Sequence, residues 1–237
     1  MSARIEELCR TLRLSGIAAS VRELEPSPCS EEINAFLLHA LENEYELRLE
    51  RKRVNAIRTA GFPTMKRFDD LVVDMLPEDG RSHLSLLKDL EFLKEHQNVL
   101  MVGNSGTGKT HLAIAIGVLA CEQNYRVIFK TTAGLVNELV EAKQERRLTY
   151  LLRQLKRVDL LILDELGYIT FDLAGAELLF QMLASRYETA STLVTSNLMF
   201  SEWVKVFHDK SLTAALLDRI THRALVLNMT GTSFRQR

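Results

Sequence analysis

The sequence is poor in cysteine and contains no long apolar run. Its three cysteines, Cys9, Cys29 and Cys121, are odd in number and far apart in a chain of 237 residues. This pattern suits neither a disulfide framework nor a zinc site, so a reducing compartment is expected. No stretch reaches membrane-spanning length, and the charged start MSARIEELCR lacks the apolar core of a signal peptide. We therefore expect a cytoplasmic protein without a membrane partner.

The chain also lacks a strong excess of charge of either sign. It has 30 basic and 31 acidic side chains, which give a formal net charge of −1. Overall charge therefore argues neither for nor against a nucleic-acid partner, and any DNA contact must come from a local basic patch. The hydrophobic content of 46% is enough for one good core and a smaller second unit.

The most informative stretch is Asn98–Ala115, which reads NVLMVGNSGTGKTHLAIA. An apolar run is followed here by the pattern G-x-x-x-x-G-K-[ST], a loop that wraps nucleotide phosphates. Its glycines permit positive φ angles and let backbone N–H groups approach the phosphates at the start of a helix. The alternative is a glycine turn with a surface lysine, which leaves the flanking strand and helix patterns unexplained. The expected nucleotide-binding residues are Gly103, Asn104, Ser105, Gly106, Thr107, Gly108, Lys109, Thr110 and His111.

Two residues of this loop have distinct expected roles. Lys109 can reach the β and γ phosphates as a point charge, and the Thr110 hydroxyl can ligate Mg²⁺. We therefore predict ATP and Mg²⁺ as cofactors. Upstream of the loop, the apolar residues Phe68 and Leu71–Leu76 are expected to pack near the edge of the nucleotide pocket.

Five short apolar runs alternate with helical patterns along the main part of the chain. They predict strands at Val99–Val102, Val127–Phe129, Val158–Leu163, Thr192–Thr195 and Ala224–Leu227. Strands that alternate with helices favour a parallel sheet with helices on both faces. The predicted fold is therefore α/β, with a P-loop domain built on a five-stranded parallel sheet.

The first part of the chain has helical patterns only. A helix is predicted from Ser30 to about Ile57, because Ser30 is a good N-cap residue and two glutamates follow it. The second half of this helix is rich in basic residues, which fits a solvated, self-paired face or a contact with DNA or an acidic partner. A turn at Gly61–Pro63 places the expected boundary near residue 65, between a helical domain (1–65) and the main domain (66–237).

Polar residues that follow two of the predicted strands are candidates for chemistry. Asp164 and Glu165 come directly after the third strand, and Asn197 follows the fourth. The carboxyl ends of parallel strands are where ligands lie, and paired carboxylates at a buried strand end are costly unless they serve an ion or a reaction. We expect Asp164 to hold Mg²⁺ and Glu165 to orient or deprotonate the attacking water. The Asn197 amide can bond the γ-phosphate or that water.

A basic bend joins two helical segments between the second and third strands. It contains Lys143, Arg146 and Arg147. Two helices exceed what a minimal crossover needs, so the bend is a candidate contact with DNA phosphates. An ordinary surface turn is the alternative, and the sequence leaves both open.

Several segments together resemble IstB, the helper ATPase of two-gene insertion sequences. IstB is akin to the helicase loader DnaC within the AAA+ class. The segments that carry the shared ATPase motifs are GNSGTGKTHLA, LLILDELGY, LVTSNL and ALLDRI. The segments LRLSGIAAS, AELLFQMLASRYE and FSEWVKVF also resemble IstB and would not be expected in a generic P-loop enzyme. The resemblance covers nearly the whole chain.

The resemblance implies roles that the spacing alone does not give. It implies that Asp164 and Glu165 are the Walker B pair, that Asn197 is sensor 1, that Arg219 is an arginine finger offered to a neighbouring subunit, and that Arg235 is the sensor 2 arginine. It implies an AAA+ fold without a separate helical lid and ATP hydrolysis that depends on self-association into an ATP-dependent oligomer. It further implies assembly on duplex DNA, with delivery or activation of target DNA for a cognate, IstA-like transposase.

Three other functions remain open from the sequence. A DnaC-type replicative helicase loader would share the ATPase residues and differ in its client. A small-molecule phosphotransferase would share the P-loop without needing Glu165 beside Asp164 or an arginine finger. A DNA-binding scaffold could hold ATP as a structural ligand.

Overall fold

The computed structural model describes residues 3–23 and 30–233. Backbone contacts divide the chain into two compact units, Met1–Asn55 and Ala56–Arg237. The domain boundary expected near residue 65 stays a proposal. Among the described residues, no helix is long and apolar enough to cross a membrane.

The first unit is helical. Its elements are α1 (Ala3–Leu12), α2 (Ser15–Glu23) and most of the long helix α3 (Ser30–Ala60), whose last five residues belong to the second unit. The buried residues of α1 recur at helical spacing, and they pack against Leu41 of α3 in a small core. The Arg48 side chain of α3 also donates a hydrogen bond of 3.0 Å to the carbonyl of Leu12.

The second unit alternates strands and helices. Its strands are β1 (Asn98–Val102), β2 (Val127–Thr131), β3 (Leu160–Leu166), β4 (Ser191–Ser196) and β5 (Ala224–Asn228). Its helices are α4 (Glu78–Ser82), α5 (Leu84–Asp89), α6 (Glu91–Lys94), α7 (Lys109–Glu122), α8 (Thr132–Gln144), α9 (Leu148–Lys156), α10 (Leu173–Arg186), α11 (Val204–Phe207) and α12 (Lys210–Thr221). Short 3-10 turns lie at Phe68–Asp70, Val73–Met75 and Phe200–Glu202.

The five strands form one parallel sheet in the order β2-β3-β4-β1-β5, which confirms the predicted fold class. Alternate residues face opposite sides of the sheet. Met101 and Ile162 belong to the core that includes α7, whereas Leu100 and Leu161 belong to the core that includes α8, α10 and α12. Because β4 lies between β1 and β3, the carboxyl ends of these three strands lie side by side. That edge of the sheet positions the candidate site.

Two stretches of the second unit test the expected helices. The apolar spacing of Leu84, Leu87, Leu90 and Phe92 predicts one helix ahead of β1. This stretch forms two short helices, α5 and α6, because Leu90 adopts a positive φ of 53° between them and is fully buried there. The described residues after β4 form a 3-10 turn, α11, α12 and β5, and they contain no separate helical lid.

Candidate functional site

A cavity of about 720 Å³ lies at the carboxyl edge of the sheet in the second unit. Its volume is in the range of ligand pockets. One wall is the glycine loop before α7, and a second wall is polar, with Glu165 and Asn197. The third wall is apolar and follows the upstream 3-10 turns, where Leu71, Val72, Met75 and Leu76 line the cavity as expected. Phe68 lies instead in a smaller neighbouring pocket.

The glycine loop has a backbone conformation that would be strained with any other residue type at its glycine positions. Gly108 is the N-cap of α7 at φ 89°, and Gly103 has φ 149°. A Cβ on Gly103 would lie 2.3 Å from the backbone carbon of Met229, so only glycine lets these two segments pack. The loop delivers the N-terminus of α7 to the cavity, where its backbone N–H groups and positive dipole end favour an anion.

The side chain of Lys109 is folded onto its own loop. It is 8% exposed, and its Nζ donates to the carbonyl of Gly103 at 2.7 Å and to that of Asn104. A phosphate would offer the ammonium a charged acceptor in place of these neutral carbonyls. Thr107 is buried and donates to the carbonyl of Asn104 at 2.9 Å, which closes the turn of the loop. Ser105, Gly106, Gly108, Lys109, Thr110 and His111 line the cavity, whereas Gly103, Asn104 and Thr107 shape the loop.

The carboxylate of Asp164 lies directly beside the loop. It is 4% exposed, and the Thr110 hydroxyl donates to its Oδ1 at 3.0 Å. A carboxylate and a hydroxyl brought together in this way form the all-oxygen donor set that Mg²⁺ prefers. The two residues expected to hold the metal are therefore adjacent, although 54 positions separate them in the chain.

Glu165 lies inside strand β3, which continues to Leu166 rather than ending at Leu163 as predicted. Residue 163 pairs with Val194 and residue 166 with Ser196, so Asp164 and Glu165 form a bulge. Glu165 has a left-handed φ of 61°, a conformation that costs about 1–3 kcal/mol for such a residue. The bulge places Glu165 in the cavity wall, next to the loop.

The P-loop, the acidic pair and the parallel sheet match a known family. A family model described as IstB-like ATP binding protein matches residues 7–237. The chain belongs to this family. It is an AAA+ ATPase, and ATP is its nucleotide.

Two relatives extend the match over nearly the whole chain. A Pseudomonas aeruginosa protein assigned as the ATP-binding protein of insertion sequence IS21 is 36% identical over 98% of this chain and 88% of its own length. The corresponding Geobacillus stearothermophilus protein of insertion sequence IS5376 is 35% identical over 100% of this chain and 95% of its own length. Both are products assigned to insertion sequences.

Solved structures show the same fold at lower identity. The chain is similar to DnaI with a TM-score of 0.60 and 22% identity, over 75% of this chain and 94% of that one. It is similar to AMPPCP-bound DnaA from Aquifex aeolicus with a TM-score of 0.59 and 19% identity, over 71% of this chain and 51% of that one. It is similar to the DnaC helicase loader with a TM-score of 0.55 and 21% identity, over 65% of this chain and 91% of that one. These likenesses establish the AAA+ fold of this IstB-family chain.

The other candidate residues of this IstB-family chain lie at different distances from the cavity. Asn197 lines it, at the end of β4 between the P-loop strand and β3. Arg219 lies on α12 and is absent from the described residues that line the cavity. Its guanidinium lies 5.0 Å from the ring centroid of Phe180 and donates to the carbonyl of Ala215 at 3.3 Å. Arg235 lies outside the described residues.

The basic bend connects α8 and α9 as expected. Lys143, Arg146 and Arg147 are all exposed, and Arg146 turns the chain with a φ of 59°. Arg147 forms an ion pair with Glu145, so its guanidinium is partly neutralised in this conformation. The structure leaves all three cations accessible from solvent.

Two threonines at this site were missed by the sequence reasoning. Thr132 opens α8, is fully buried and donates to the backbone carbonyl of Asp164 at 2.9 Å. Thr195 is 2% exposed on β4, donates to Oδ1 of Asp164 and accepts from the backbone N–H of Glu165 at 3.1 Å. Threonine is common in strands for packing reasons, so its type alone gave no signal.

Proposed function

We propose that this chain is an ATP- and Mg²⁺-dependent helper ATPase that assembles on duplex DNA and delivers or activates target DNA for a partner transposase. One observation carries the proposal. A phosphate loop with its lysine and Glu165 line a single cavity, and Asp164 lies beside the loop within hydrogen-bonding distance of Thr110, in a member of a family whose relatives are assigned to insertion sequences. The cavity supports the nucleotide-binding part of the proposal, and the assignment of the relatives to insertion sequences supports a role in transposition.

The polar wall of the cavity suits hydrolysis of a terminal phosphate. Thr110 and Asp164 would hold Mg²⁺, which neutralises phosphate charge when bound. Glu165, which lines the cavity, would orient or deprotonate the attacking water. Asn197 directly follows β4, the strand between β1 and β3, and would bond the γ-phosphate or the same water.

Self-association would complete this site. In the part of the chain that the structure describes, the cations lining the cavity are Lys66 and Lys109, and no arginine is among them. Arg219 lies on α12 outside its own cavity and is half-buried against Phe180. We therefore assign Arg219 to the ATP of a neighbouring subunit, where an arginine finger accelerates hydrolysis by roughly a thousandfold or more. Arg235 is proposed as the sensor 2 residue of the same site.

The basic bend is the proposed DNA contact. Its three cations are exposed at a helix junction, a placement that lets them reach phosphates. Contacts to phosphates would position the protein on DNA without reading its sequence. A structural neighbour, DnaA, has been solved with AMPPCP and single-stranded DNA, which shows that nucleotide and DNA binding occur together in a protein with this fold.

The family match favours transposition over helicase loading. DnaI and DnaC share the fold at 22% and 21% identity, whereas insertion-sequence proteins reach 36% over 98% of the chain. A pull-down with this chain as bait distinguishes the two functions. A helicase loader should retain a replicative helicase, whereas a transposition helper should retain its transposase.

Replacement of Lys143, Arg146 and Arg147 by alanine tests the DNA contact. Loss of up to three phosphate contacts should weaken duplex binding and reduce the steepness of log K against log salt by roughly 2–3. Binding is measured by fluorescence anisotropy on a labelled duplex at four salt concentrations, with ATP present.

A matched variant removes the same charge elsewhere. Lys94, Lys205 and Lys210 are exposed lysines on α6, α11 and α12, and their joint replacement by alanine should leave the salt slope near that of the wild type. Equal slopes for the bend variant and the wild type would overturn the assignment of the bend. Equal losses for both triple variants would show a diffuse charge effect instead.

A further inference from the structure

The bulge in β3 creates a hydrogen-bonding problem beside the catalytic residues. Two residues, Asp164 and Glu165, oppose the single residue Thr195 of β4. An extra residue in one strand loses its ladder partner, and a buried N–H left unpaired costs about 1–3 kcal/mol. The backbone N–H of Glu165 is met by the side-chain oxygen of Thr195 at 3.1 Å.

The same hydroxyl serves both acidic residues. A threonine hydroxyl has one proton to donate and can also accept. Because it accepts from the N–H of Glu165, its proton is available to Oδ1 of Asp164, and that bond is present. The Thr110 hydroxyl donates to the same Oδ1 at 3.0 Å. The direction of each bond around Asp164 is therefore set.

The position of the Thr195 hydroxyl is itself well fixed. Thr195 is 2% exposed, and its backbone pairs with Met101 of β1 in the middle of the sheet. A β-branched side chain has restricted χ1 freedom, so the strand determines where the hydroxyl lies. The backbone carbonyl of Asp164 is held separately by Thr132 at 2.9 Å. Loss of the Thr195 hydroxyl would thus remove one of the two side-chain hydrogen bonds to Asp164 Oδ1 and leave the backbone N–H of Glu165 without this acceptor, while the Asp164 backbone stays in place.

We propose that Thr195 is a positioning residue for ATP hydrolysis, because one buried hydroxyl orients the Asp164 carboxylate and holds the Glu165 backbone at the bulge. Thr195 acts through these two neighbours and carries no proton to or from the substrate. This inference rests on the proposed nucleotide site and adds a determinant of turnover to it.

The test compares Thr195→Val with Thr195→Ser. Valine keeps the shape and removes both hydrogen bonds, whereas serine keeps the hydroxyl. Steady-state ATP turnover with duplex DNA should show kcat reduced at least about tenfold in Thr195→Val, because misplaced catalytic groups act poorly. The KM for ATP should stay near the wild-type value, and the Mg²⁺ concentration for half-maximal turnover should rise. Thr195→Ser should have a kcat and a Mg²⁺ requirement close to those of the wild type.

A control on the same strand separates positioning from stability. Thr192 is 4% exposed on β4 and accepts a hydrogen bond from Nε of Arg186 at 3.2 Å. Thr192→Val should lower the melting temperature and leave kcat and the Mg²⁺ requirement of the folded protein unchanged. If Thr195→Val does not fold, Thr195→Ala is judged by the same criteria.

Two results would overturn the proposal. One is a kcat and Mg²⁺ requirement in Thr195→Val equal to those of the wild type. The other is an equal loss in Thr195→Ser and Thr195→Val, because serine keeps the hydroxyl and the loss would then not follow from removal of the hydroxyl. Binding of a fluorescent ATP analogue to the wild type is measured in parallel. Failure of the wild type to bind would refute the nucleotide site itself, a result distinct from failure of the Thr195 proposal.

Discussion

Asp164 and Glu165 are adjacent in the chain, but the structure gives them different environments. Asp164 is 4% exposed and accepts two side-chain hydrogen bonds on one oxygen. Glu165 is exposed, lines the cavity and sits on a left-handed backbone. The buried carboxylate is suited to a fixed ion, and the exposed one is free to meet a water molecule. The bulge therefore gives these neighbouring carboxylates different environments, and the proposed roles of ion ligand for Asp164 and water activation for Glu165 follow from this difference.

The role of Glu165 predicts a specific kinetic result. Glu165→Gln should bind ATP with nearly wild-type affinity and lose turnover by about 10²–10⁴-fold, because the amide cannot act as a general base. Nucleotide binding is measured by a fluorescent analogue and turnover by phosphate release. Full turnover in this variant would show that Glu165 does not activate the attacking water. A scaffold that keeps ATP as a structural ligand would instead retain its DNA-binding function in Glu165→Gln. Asp172→Asn, at the N-cap of α10, serves as a carboxylate control away from the cavity lining.

The sequence alone indicated the candidate residues whose proposed roles rest on local motifs. The loop residues and the acidic pair are contiguous in the chain, so their pattern is visible without the fold. The roles of Thr195 and Thr132 depend on contacts across 31 and 32 positions. The left-handed φ of Glu165 likewise depends on strand pairing with β4. Such features follow from register, which the chain pattern does not specify.

At the scale of elements, the strands were predictable because each is a buried apolar run between turn residues. All five predicted strands are present, with ends shifted by a few residues. The helical pattern before β1 was misjudged, because its apolar spacing continues through the turn at Leu90 that splits it. The spacing of apolar residues indicates which face of a helix is buried, but it does not indicate where the backbone bends.

One buried arginine ties three elements together. Arg186, at the end of α10, is 1% exposed. Its guanidinium donates to the carbonyls of Leu155, Val158 and Ser191 and to the hydroxyl of Thr192, so it joins the ends of α9 and α10 to β4. Burial lowers its pKa to about 10, which leaves it charged at neutral pH.

Arg186→Met should therefore lower the free energy of unfolding by about 3 kcal/mol, because it leaves buried carbonyls without a donor. Urea unfolding followed by circular dichroism measures the change. Arg126→Met is the matched control, since Arg126 pairs with Asp159 at 3.4 Å and has a side chain that is 66% exposed. Its effect should stay within about 0.5 kcal/mol. Equal effects of the two substitutions would show that Arg186 is not a structural anchor.

At the scale of the whole molecule, the central claim is that ATP couples assembly to DNA. The cavity is lined by residues of the loop, Glu165 and Asn197, whereas Arg219 lies outside it. The proposed division of the site between two subunits would make turnover a property of neighbouring subunits. Because the net charge is −1, the proposed DNA contact would depend on local cations and on the number of subunits that present them.

The most direct measurement is the mass of the protein on duplex DNA by light scattering, with and without ATP. We expect large ATP-dependent complexes for the wild type and for the exposed-arginine control Arg223→Ala. We expect no such complexes for Lys109→Ala, and weak assembly with little turnover for Arg219→Ala. A wild-type mass that does not depend on ATP, or ATP turnover per protomer that is the same in dilute and concentrated protein, would contradict the proposed coupling of ATP to assembly.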